Sequence, residues 1–138
     1  MSTIYLLDTN TVSYIAKGKS RKARARLEAL APEDSACISS ITEAEIRYGL
    51  ARRPQARALR TAIDGLLFKL RVLPWGSREA VAYGEVRAGL EAKGVSLAEL
   101  DMLIAAHAIS QGAVLVTTDA VFLRVAALHR VENWAPDI

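Results

Sequence analysis

The stretch Ile4-Tyr-Leu-Leu-Asp-Thr-Asn-Thr-Val-Ser-Tyr-Ile-Ala16 decides the fold. Its first part, Ile4 to Leu7, is a short apolar run typical of a buried strand, and Asp8 follows it directly. Apolar residues then recur at helical spacing through Val12 and Ile15. The stretch therefore predicts a strand and then a helix, with an acidic residue at their junction.

The alternation of strand and helix continues further along the chain. The apolar segment Ala36 to Ser39 predicts a second strand. Thr42 and Glu45 follow with the spacing of a capping box, which predicts that a helix starts there and runs through Leu50.

A third strand and helix pair is predicted near the end of the chain. Ser96 and Glu99 again have capping-box spacing, ahead of an apolar helix expected from Leu100 to about Ser110. Gly112 is suited to end that helix, and Ala113 to Val116 predicts another strand.

The remaining segments predict shorter elements. Pro54 is expected to start a helix whose apolar face runs from Leu59 to Leu70, and another helix is expected around Tyr83 to Leu90. Arg71 to Pro74 and Arg130 to Trp134 predict short strands, the second at an edge of the sheet. Strands that alternate with helices indicate an α/β fold. We expect one three-layer domain over residues 1–138, with a mostly parallel central sheet of four to five strands flanked by helices.

Composition limits the class of protein. A chain of 138 residues, 51% hydrophobic and 24% charged, has the size and balance of one folded domain. Cys37 is the lone cysteine, so no internal disulfide is possible and a reducing cytoplasm is expected. No segment has about 18 uninterrupted apolar residues, so neither secretion nor a membrane span is predicted.

Four acidic residues occupy the positions where ligands bind in such sheets, beyond the carboxyl ends of the strands. Asp8 ends the first strand, Asp119 follows the strand Ala113 to Val116, and Glu45 and Asp101 are predicted in the opening turns of two helices. If they converge, their carboxylates repel one another, and a bound dication would compensate. Oxygen ligands without a His or Cys cluster favour Mg²⁺, or alternatively Mn²⁺, over zinc.

Each acid also has an ordinary structural explanation. Glu45 could only close its capping box, Asp8 and Asp119 could cap the helices that follow them, and Asp101 could complement a helix dipole. Asp101 favours the functional interpretation, because it immediately precedes Met102 to Ala106, where an isolated charge is costly unless it faces a polar site. The four together predict a metal pocket better than any one of them.

Positive charge is concentrated near the start of the chain. The net charge is only +3, yet six of the ten residues from Lys17 to Arg26 are basic. These residues could contact phosphates, or they could form the solvated face of a helix that buries Ala23, Leu27 and Leu30. Both interpretations stay open.

A few other side chains invite assignment. His107 lies six residues beyond Asp101 and nearly opposite to it on a helix, so a packed structural role is favoured. Arg47 is expected either to hold a phosphate or to pair with an acid at the pocket edge. Trp75 and Trp134 are expected to pack in the core or at the sheet edge.

Four pieces of the chain, in this order, resemble the PIN-domain nucleases and, within them, the VapC-like toxins of bacterial toxin and antitoxin pairs. They are Leu6-Leu-Asp-Thr-Asn10, Ile41-Thr-Glu-Ala-Glu-Ile-Arg-Tyr-Gly49, Asp101-Met-Leu-Ile-Ala-Ala-His-Ala108, and Leu115-Val-Thr-Thr-Asp119 with Phe122.

The resemblance implies a PIN-like fold in which the four acids are metal ligands or support the ligands, and in which Asn10 and Thr117 help to orient them. It also implies a homodimer that a small VapB-like antitoxin inhibits, in a heterotetramer or larger complex. The chain departs from the family where many relatives have a second acid after the last motif, because Val121 stands there. Leu100, before Asp101, replaces a residue that is polar or small in many relatives.

The expected activity is therefore that of a Mg²⁺- or Mn²⁺-dependent endoribonuclease. One or two metal ions would bind the phosphodiester of the RNA substrate and activate water, leaving 5′-phosphate and 3′-hydroxyl ends. Asp8 is the first choice for an indispensable ligand. Apolar helix faces at Leu27 to Leu30 and Leu59 to Leu70 could receive the antitoxin, or could belong to the core.

Two other functions are possible from the sequence. The first motif also resembles that of haloacid-dehalogenase-type phosphatases, but Asn10 stands where they have a second aspartate, and no convincing phosphate-binding lysine follows. A PIN fold that binds partners without metal or catalysis is the other alternative, with the four acids serving only as helix caps and solubilising charge.

Overall fold

The structure, a computed structural model, describes residues 2–138. In chain order the elements are β1 (Ile4–Leu7), α1 (Thr9–Ala16), α2 (Arg21–Glu28), β2 (Ser35–Ser39), α3 (Ser40–Ala51), α4 (Arg57–Lys69), β3 (Arg71–Leu73), α5 (Ser77–Ala92), α6 (Glu99–Gln111), β4 (Val114–Val116), a short 3₁₀ helix (Ala120–Arg124) and β5 (Arg130–Glu132).

The five strands form one sheet in the order β3-β2-β1-β4-β5, and every neighbouring pair is parallel. Leu6 at the centre of β1 lies opposite Cys37 of β2 and Leu115 of β4. The chain builds the sheet outward from β1 to β3 and then returns to the other side of β1 to add β4. This reversal places a ligand-binding crevice at the carboxyl ends of β1 and β4.

Alternate residues of β1 point to opposite faces of the sheet, and each face has its own core. Tyr5 and Leu7 pack with buried residues of α1 to α4, whereas Leu6 packs with buried residues of α5 and α6. Helices on both faces of a parallel sheet confirm the predicted α/β fold with three layers. The short strands β3 and β5 also confirm the predictions made for those segments.

The predicted start of α3 is wrong. Ser39, the last residue of β2, accepts a hydrogen bond from the Ile41 backbone N–H at 3.0 Å and so caps a helix that begins at Ser40. Thr42 is buried inside the first turns, and its hydroxyl has no hydrogen-bond partner. Glu45 therefore lies in the second turn of α3 and closes no capping box.

The predicted start of α4 is also wrong, whereas that of α6 is within one residue of the observed start and only its predicted capping box is wrong. Pro54 lies in a turn closed by the Ala56 N–H bonding to the Arg53 carbonyl, and α4 begins only at Arg57. Helix α6 begins at Glu99 after Ala98, with no side-chain cap, so Ser96 and Glu99 form no capping box. Among residues 2–138, no helix is both long enough and apolar enough to cross a membrane.

Candidate active site

Asp8 lies at the junction of β1 and α1, where both oxygens of its carboxylate are hydrogen-bonded. Oδ1 accepts from the Thr11 backbone N–H at 2.9 Å, so Asp8 is the N-cap of α1. Oδ2 accepts from the hydroxyl of Thr117, which follows β4. Only 8% of Asp8 is exposed. The two contacts fix the carboxylate at the crevice between the two central strands.

The environment of Asp8 opposes its negative charge. Burial raises the pKa of Asp8, the hydrogen bonds from Thr117 and Thr11 act to lower it, and the charge of Asp119 raises it further. The net shift is upward. A positive charge placed beside this carboxylate would therefore be favourable.

Glu45 is held beside the same crevice by a contact from α1. The hydroxyl of Thr9, the residue after Asp8, donates to Oε1 of Glu45 at 2.8 Å. Thr9 was not singled out from the sequence, although it stands inside the first quoted motif. The available signal in the sequence was its position directly after Asp8, at the start of α1.

Asp101 lies in the first turn of α6 and is half-buried. Burial raises the pKa of Asp101, and the charges of Asp119, Asp8 and Glu45 raise it further. Since each of the other three acids acts on Asp101, the structure brings the four predicted acids into one electrostatic neighbourhood. A cavity of about 110 Å³ lies there, lined by Asp8, Thr9, Asn10, Glu45, Asp101, Ile104 and Phe122.

Asp119 is exposed and is not among the residues that line this cavity, although its charge raises the pKa of Asp101. Its Oδ1 accepts from the Val121 backbone N–H at 3.0 Å and caps the 3₁₀ helix, while its own N–H donates to the hydroxyl of Thr117 at 3.0 Å. Asp8 and Asp119 thus cap the elements that follow them, as one of the two interpretations of the sequence expected, and Asp8 also lines the acidic cavity. The metal-binding role of these acids stays a prediction.

The two residues expected to orient the acids differ in their contacts. Thr117 is buried and joins Asp8 to the Asp119 backbone through its hydroxyl. Asn10 lines the cavity and is exposed, but among residues 2–138 its side chain makes no hydrogen bond to any of the four acids.

The donor chemistry of the cavity suits a hard divalent cation. It supplies carboxylate and hydroxyl oxygens, and two of its carboxylates have raised pKa values that a cation would lower. Within residues 2–138, no group of three or more His, Cys, Asp or Glu side chains is arranged to hold a metal ion unaided. This fits Mg²⁺, which keeps several waters and uses one or two carboxylates together with substrate phosphates.

Other residues considered from the sequence lie outside this cavity. His107 is fully buried, and its Nδ1 lies 2.8 Å from the Ser39 hydroxyl, which confirms a packed role. Arg47 pairs with Asp64 at 3.2 Å rather than with an acid of the cavity. Trp134 is buried in the core, and the Trp75 indole N–H donates to the Leu103 carbonyl at 2.9 Å.

The basic stretch divides between structural and free side chains. Arg24 donates to the Ile15 carbonyl at 2.8 Å, and Arg26 lies over the rings of Tyr5 and Trp134. Lys17, at the end of α1, is exposed. The stretch is therefore not one uniform phosphate-binding face.

Comparison with known proteins gives consistent matches. Residues 5–128 match the sequence model of the PIN domain. The chain is 36% identical to Ribonuclease VapC2 of Rickettsia felis, across 95% of this chain and 98% of the relative. It is 34% identical to the tRNA(fMet)-specific endonuclease VapC of Salmonella typhimurium, across 94% and 97%. The crystal structure of VapBC2 from Rickettsia felis bound to a promoter DNA fragment contains a chain that superposes with a TM-score of 0.89 at 35% identity, covering 96% of this chain and 99% of that one.

Proposed function

Since the chain belongs to the PIN domain family and, within it, to the VapC ribonucleases, we propose that it is a divalent-metal-dependent endoribonuclease that acts as the toxin of a toxin and antitoxin pair. PIN nucleases generally depend on a divalent metal, and we propose Mg²⁺, with Mn²⁺ as a substitute. Four residues form the proposed metal pocket: Asp8, Glu45, Asp101 and Asp119. We further propose that residues 1–138 act as one domain in the cytoplasm.

The observation that carries this proposal is the convergence of four carboxylates, three of which raise the pKa of the fourth, Asp101. They come from β1, α3, α6 and the turn after β4, which are distant in sequence. Their charges nonetheless act together on Asp101. Within residues 2–138, none of the four carboxylates forms an ion pair with a basic side chain. Their mutual repulsion is therefore uncompensated, and a bound cation would relieve it.

The protein's own part in the reaction is to fix these oxygens. Thr117 and the Thr11 N–H hold the two oxygens of Asp8, and Thr9 holds one oxygen of Glu45. When bound, the metal supplies positive charge to the scissile phosphate and activates water for attack. Because water attacks rather than the ribose hydroxyl, the products end in 5′-phosphate and 3′-hydroxyl.

The test is cleavage of RNA by the purified chain with Mg²⁺ or Mn²⁺. The Salmonella relative is named for tRNA(fMet), so total transfer RNA is the first substrate to use. We expect Asp8→Asn to abolish cleavage, because it removes the ligand charge and nearly keeps the shape. Asp64→Asn is the matched control, since Asp64 is exposed on α4 and pairs with Arg47. Products with 2′,3′-cyclic phosphate, or full activity of Asp8→Asn, would reject the assignment.

A metal-free binding module is the second candidate, and one observation favours it. Asp8 and Asp119 cap the elements that follow them, a role that needs no metal. Calorimetric titration with Mg²⁺ and Mn²⁺ separates the two functions, because a module whose acids serve only as caps would release no heat of metal binding. The phosphatase alternative has no support from the family to which the chain belongs.

We also propose a small VapB-like antitoxin as the partner of a homodimer, in a heterotetramer or larger complex. A groove of about 520 Å³ runs between α2 and α4 and includes Leu27, Leu30 and Leu66 in its lining. These are the two apolar helix segments that were expected either to receive a partner or to join the core. Leu66 is buried and belongs to the core. Leu27 and Leu30 are only half-buried, so they can also contact a partner in the groove.

A further inference from the structure

A second groove, of about 220 Å³, opens beside the acidic cavity between α1, α3 and α4. Thr9 and Glu45 line both spaces, so the groove adjoins the cavity. The groove floor is apolar, with Val12, Ile46, Leu50, Leu59 and Ile63. At Gly49 the wall has no side chain, and an added Cβ would meet nothing within 4 Å.

Three cations line the part of the groove farthest along the two helices from the acids. Lys17 follows the last residue of α1, and Arg52 and Arg53 follow the last residue of α3. Lys17 is eight residues beyond Thr9, and Arg52 and Arg53 are seven and eight residues beyond Glu45. A rise of 1.5 Å per residue therefore places these cations about 10–12 Å along the helices from Thr9 and Glu45. All three are exposed, and none of them forms an ion pair with an acidic side chain of residues 2–138.

An exposed aromatic ring, that of Tyr48, lies on α3 outside the groove lining and next to the groove residue Arg52. Glu45, Tyr48 and Arg52 are spaced by three and four residues, so they follow one another along one helix face. Tyr48 is 63% exposed, and the Arg52 guanidinium lies 5.1 Å from its ring centroid. Arg52 steadies one face of the ring, which leaves the other available for a base to stack on.

We infer that this groove holds the RNA strand on one side of the cleaved phosphate, with Lys17, Arg52 and Arg53 contacting phosphates and Tyr48 stacking on an unpaired base. The inference rests on the proposed endoribonuclease function. Charge favours RNA as the occupant. When the cleaved phosphate of an RNA strand lies in the metal pocket, the next phosphates of the strand can extend along the groove to these cations. A basic peptide segment aimed at the acids would instead meet three unpaired positive charges.

The first test measures how RNA binding depends on salt. Binding of a short fluorescein-labelled single-stranded RNA of mixed sequence is followed by anisotropy with Mg²⁺, in an Asp8→Asn background. The groove variant combines Lys17→Gln, Arg52→Gln and Arg53→Gln. The matched control removes three exposed charges on other elements with Arg21→Gln, Arg71→Gln and Lys93→Gln.

A plot of log K against log salt falls with a slope of about −0.7 for each phosphate contact on a single strand. Loss of three contacts should therefore make the slope of the groove variant shallower by about 2. Between 50 and 200 mM salt, the parent should therefore lose roughly 20-fold more affinity than the groove variant. The control should keep the parental slope. Equal slopes for the two triple variants would overturn the phosphate contacts.

The second test concerns the ring. Tyr48→Ala should weaken RNA binding at least about fivefold, and Tyr48→Phe should bind like the parent, because stacking needs only the aromatic face. Phe68→Ala is the control, since Phe68 is 93% exposed but lies on α4 rather than on α3 beside Arg52. Equal binding by Tyr48→Ala and Phe68→Ala would overturn the base contact.

Two further results separate this inference from its alternatives. If RNA is still cleaved in the Asp8→Asn background, the proposed active site has failed, whatever the slopes show. If the groove variant binds RNA normally but, with Asp8 restored, its RNA cleavage escapes inhibition by the antitoxin, the groove receives a peptide and the inference is wrong.

Discussion

Asp8 joins two requirements that conflict at a single side chain. Its carboxylate must be ionised for the proposed cation binding, but only 8% of the residue is exposed, and burial raises the pKa of Asp8. The hydrogen bonds from Thr117 and Thr11 act against burial. Thr117 thus has an electrostatic role as well as a positional one, even though it contributes no charge.

Replacing Thr117 tests this role. Thr117→Val keeps the volume and removes the donor to Asp8, so we expect a 10- to 100-fold loss of metal affinity or cleavage, as is typical when the hydrogen-bond partner of a metal ligand is removed. Thr117→Ser keeps the hydroxyl and should retain most of the activity. The measurement is cleavage of transfer RNA over a Mg²⁺ titration. Wild-type metal dependence of Thr117→Val would show that the contact does not matter.

The acids could be located from the sequence because their positions follow from local rules. A charged residue directly after a buried strand, such as Asp8, must lie at the edge of the sheet where ligands bind. Thr9 could not be assigned in the same way. Its hydroxyl meets Glu45, 36 residues away, and only the packing of α1 beside α3 brings them together.

At the scale of elements, helix starts were the least predictable feature. The capping-box spacing of Thr42 and Glu45 occurs in the sequence, but Ser39 caps α3 earlier, because the end of β2 already presents its hydroxyl to the Ile41 N–H. Strands and helix faces were predictable from apolar spacing. Their exact ends depend on side chains such as Ser39, which also contacts His107 of a distant helix.

One buried acid outside the proposed active site joins α5 to α6. Glu79 is 3% exposed; its Oε1 accepts from the Gly76 N–H at 2.8 Å, and its Oε2 accepts from Ser110 and Gln111. Burial acts to raise the pKa of Glu79, but the hydrogen bonds outweigh it, with a smaller contribution from His107, and the pKa falls from 4.5 to about 2. The charged form of Glu79 therefore stabilises the fold.

Glu79→Gln should lower the free energy of unfolding by about 1–3 kcal/mol near neutral pH, because hydrogen bonds to a buried charge are lost. The folded-state pKa lies below the unfolded-state value, so this stabilisation is complete above pH 4.5 and disappears as the pH falls toward about 2. The difference between wild type and variant should shrink accordingly. Urea unfolding at several pH values measures it, with Glu85→Gln, an exposed acid of α5, as the control. A difference that does not change with pH would contradict this linkage.

At the scale of the whole molecule, α4 separates two grooves of different character. On one side lies the groove that adjoins the acidic cavity and carries Lys17, Arg52 and Arg53. On the other lies the larger groove against α2, whose lining includes both acids and bases: Arg24, Glu28, Asp34 and Lys69. The proposed RNA strand and the proposed antitoxin would thus bind to different sides of one helix.

This arrangement predicts that inhibition can be separated from catalysis. Gly65 of α4 lines the α2 and α4 groove, and an added Cβ there would meet nothing within 4 Å. Gly65→Leu should therefore fold normally and cleave RNA at the wild-type rate, while its side chain fills the groove and weakens inhibition by the antitoxin. Gly65→Ala is the matched control; it should be inhibited normally and be about 0.5–1 kcal/mol more stable, because glycine inside a helix is unfavourable.

The measurement is RNA cleavage by each variant over a titration of a VapB-like antitoxin that inhibits the wild-type chain. A shift of the inhibition curve for Gly65→Leu alone, with equal uninhibited rates, would assign the groove to the antitoxin. Inhibition of Gly65→Leu at wild-type antitoxin concentrations would place the partner elsewhere. Because α4 also lines the RNA groove through Leu59 and Ile63, a partner bound to its α2 side could still affect catalysis by shifting this one helix.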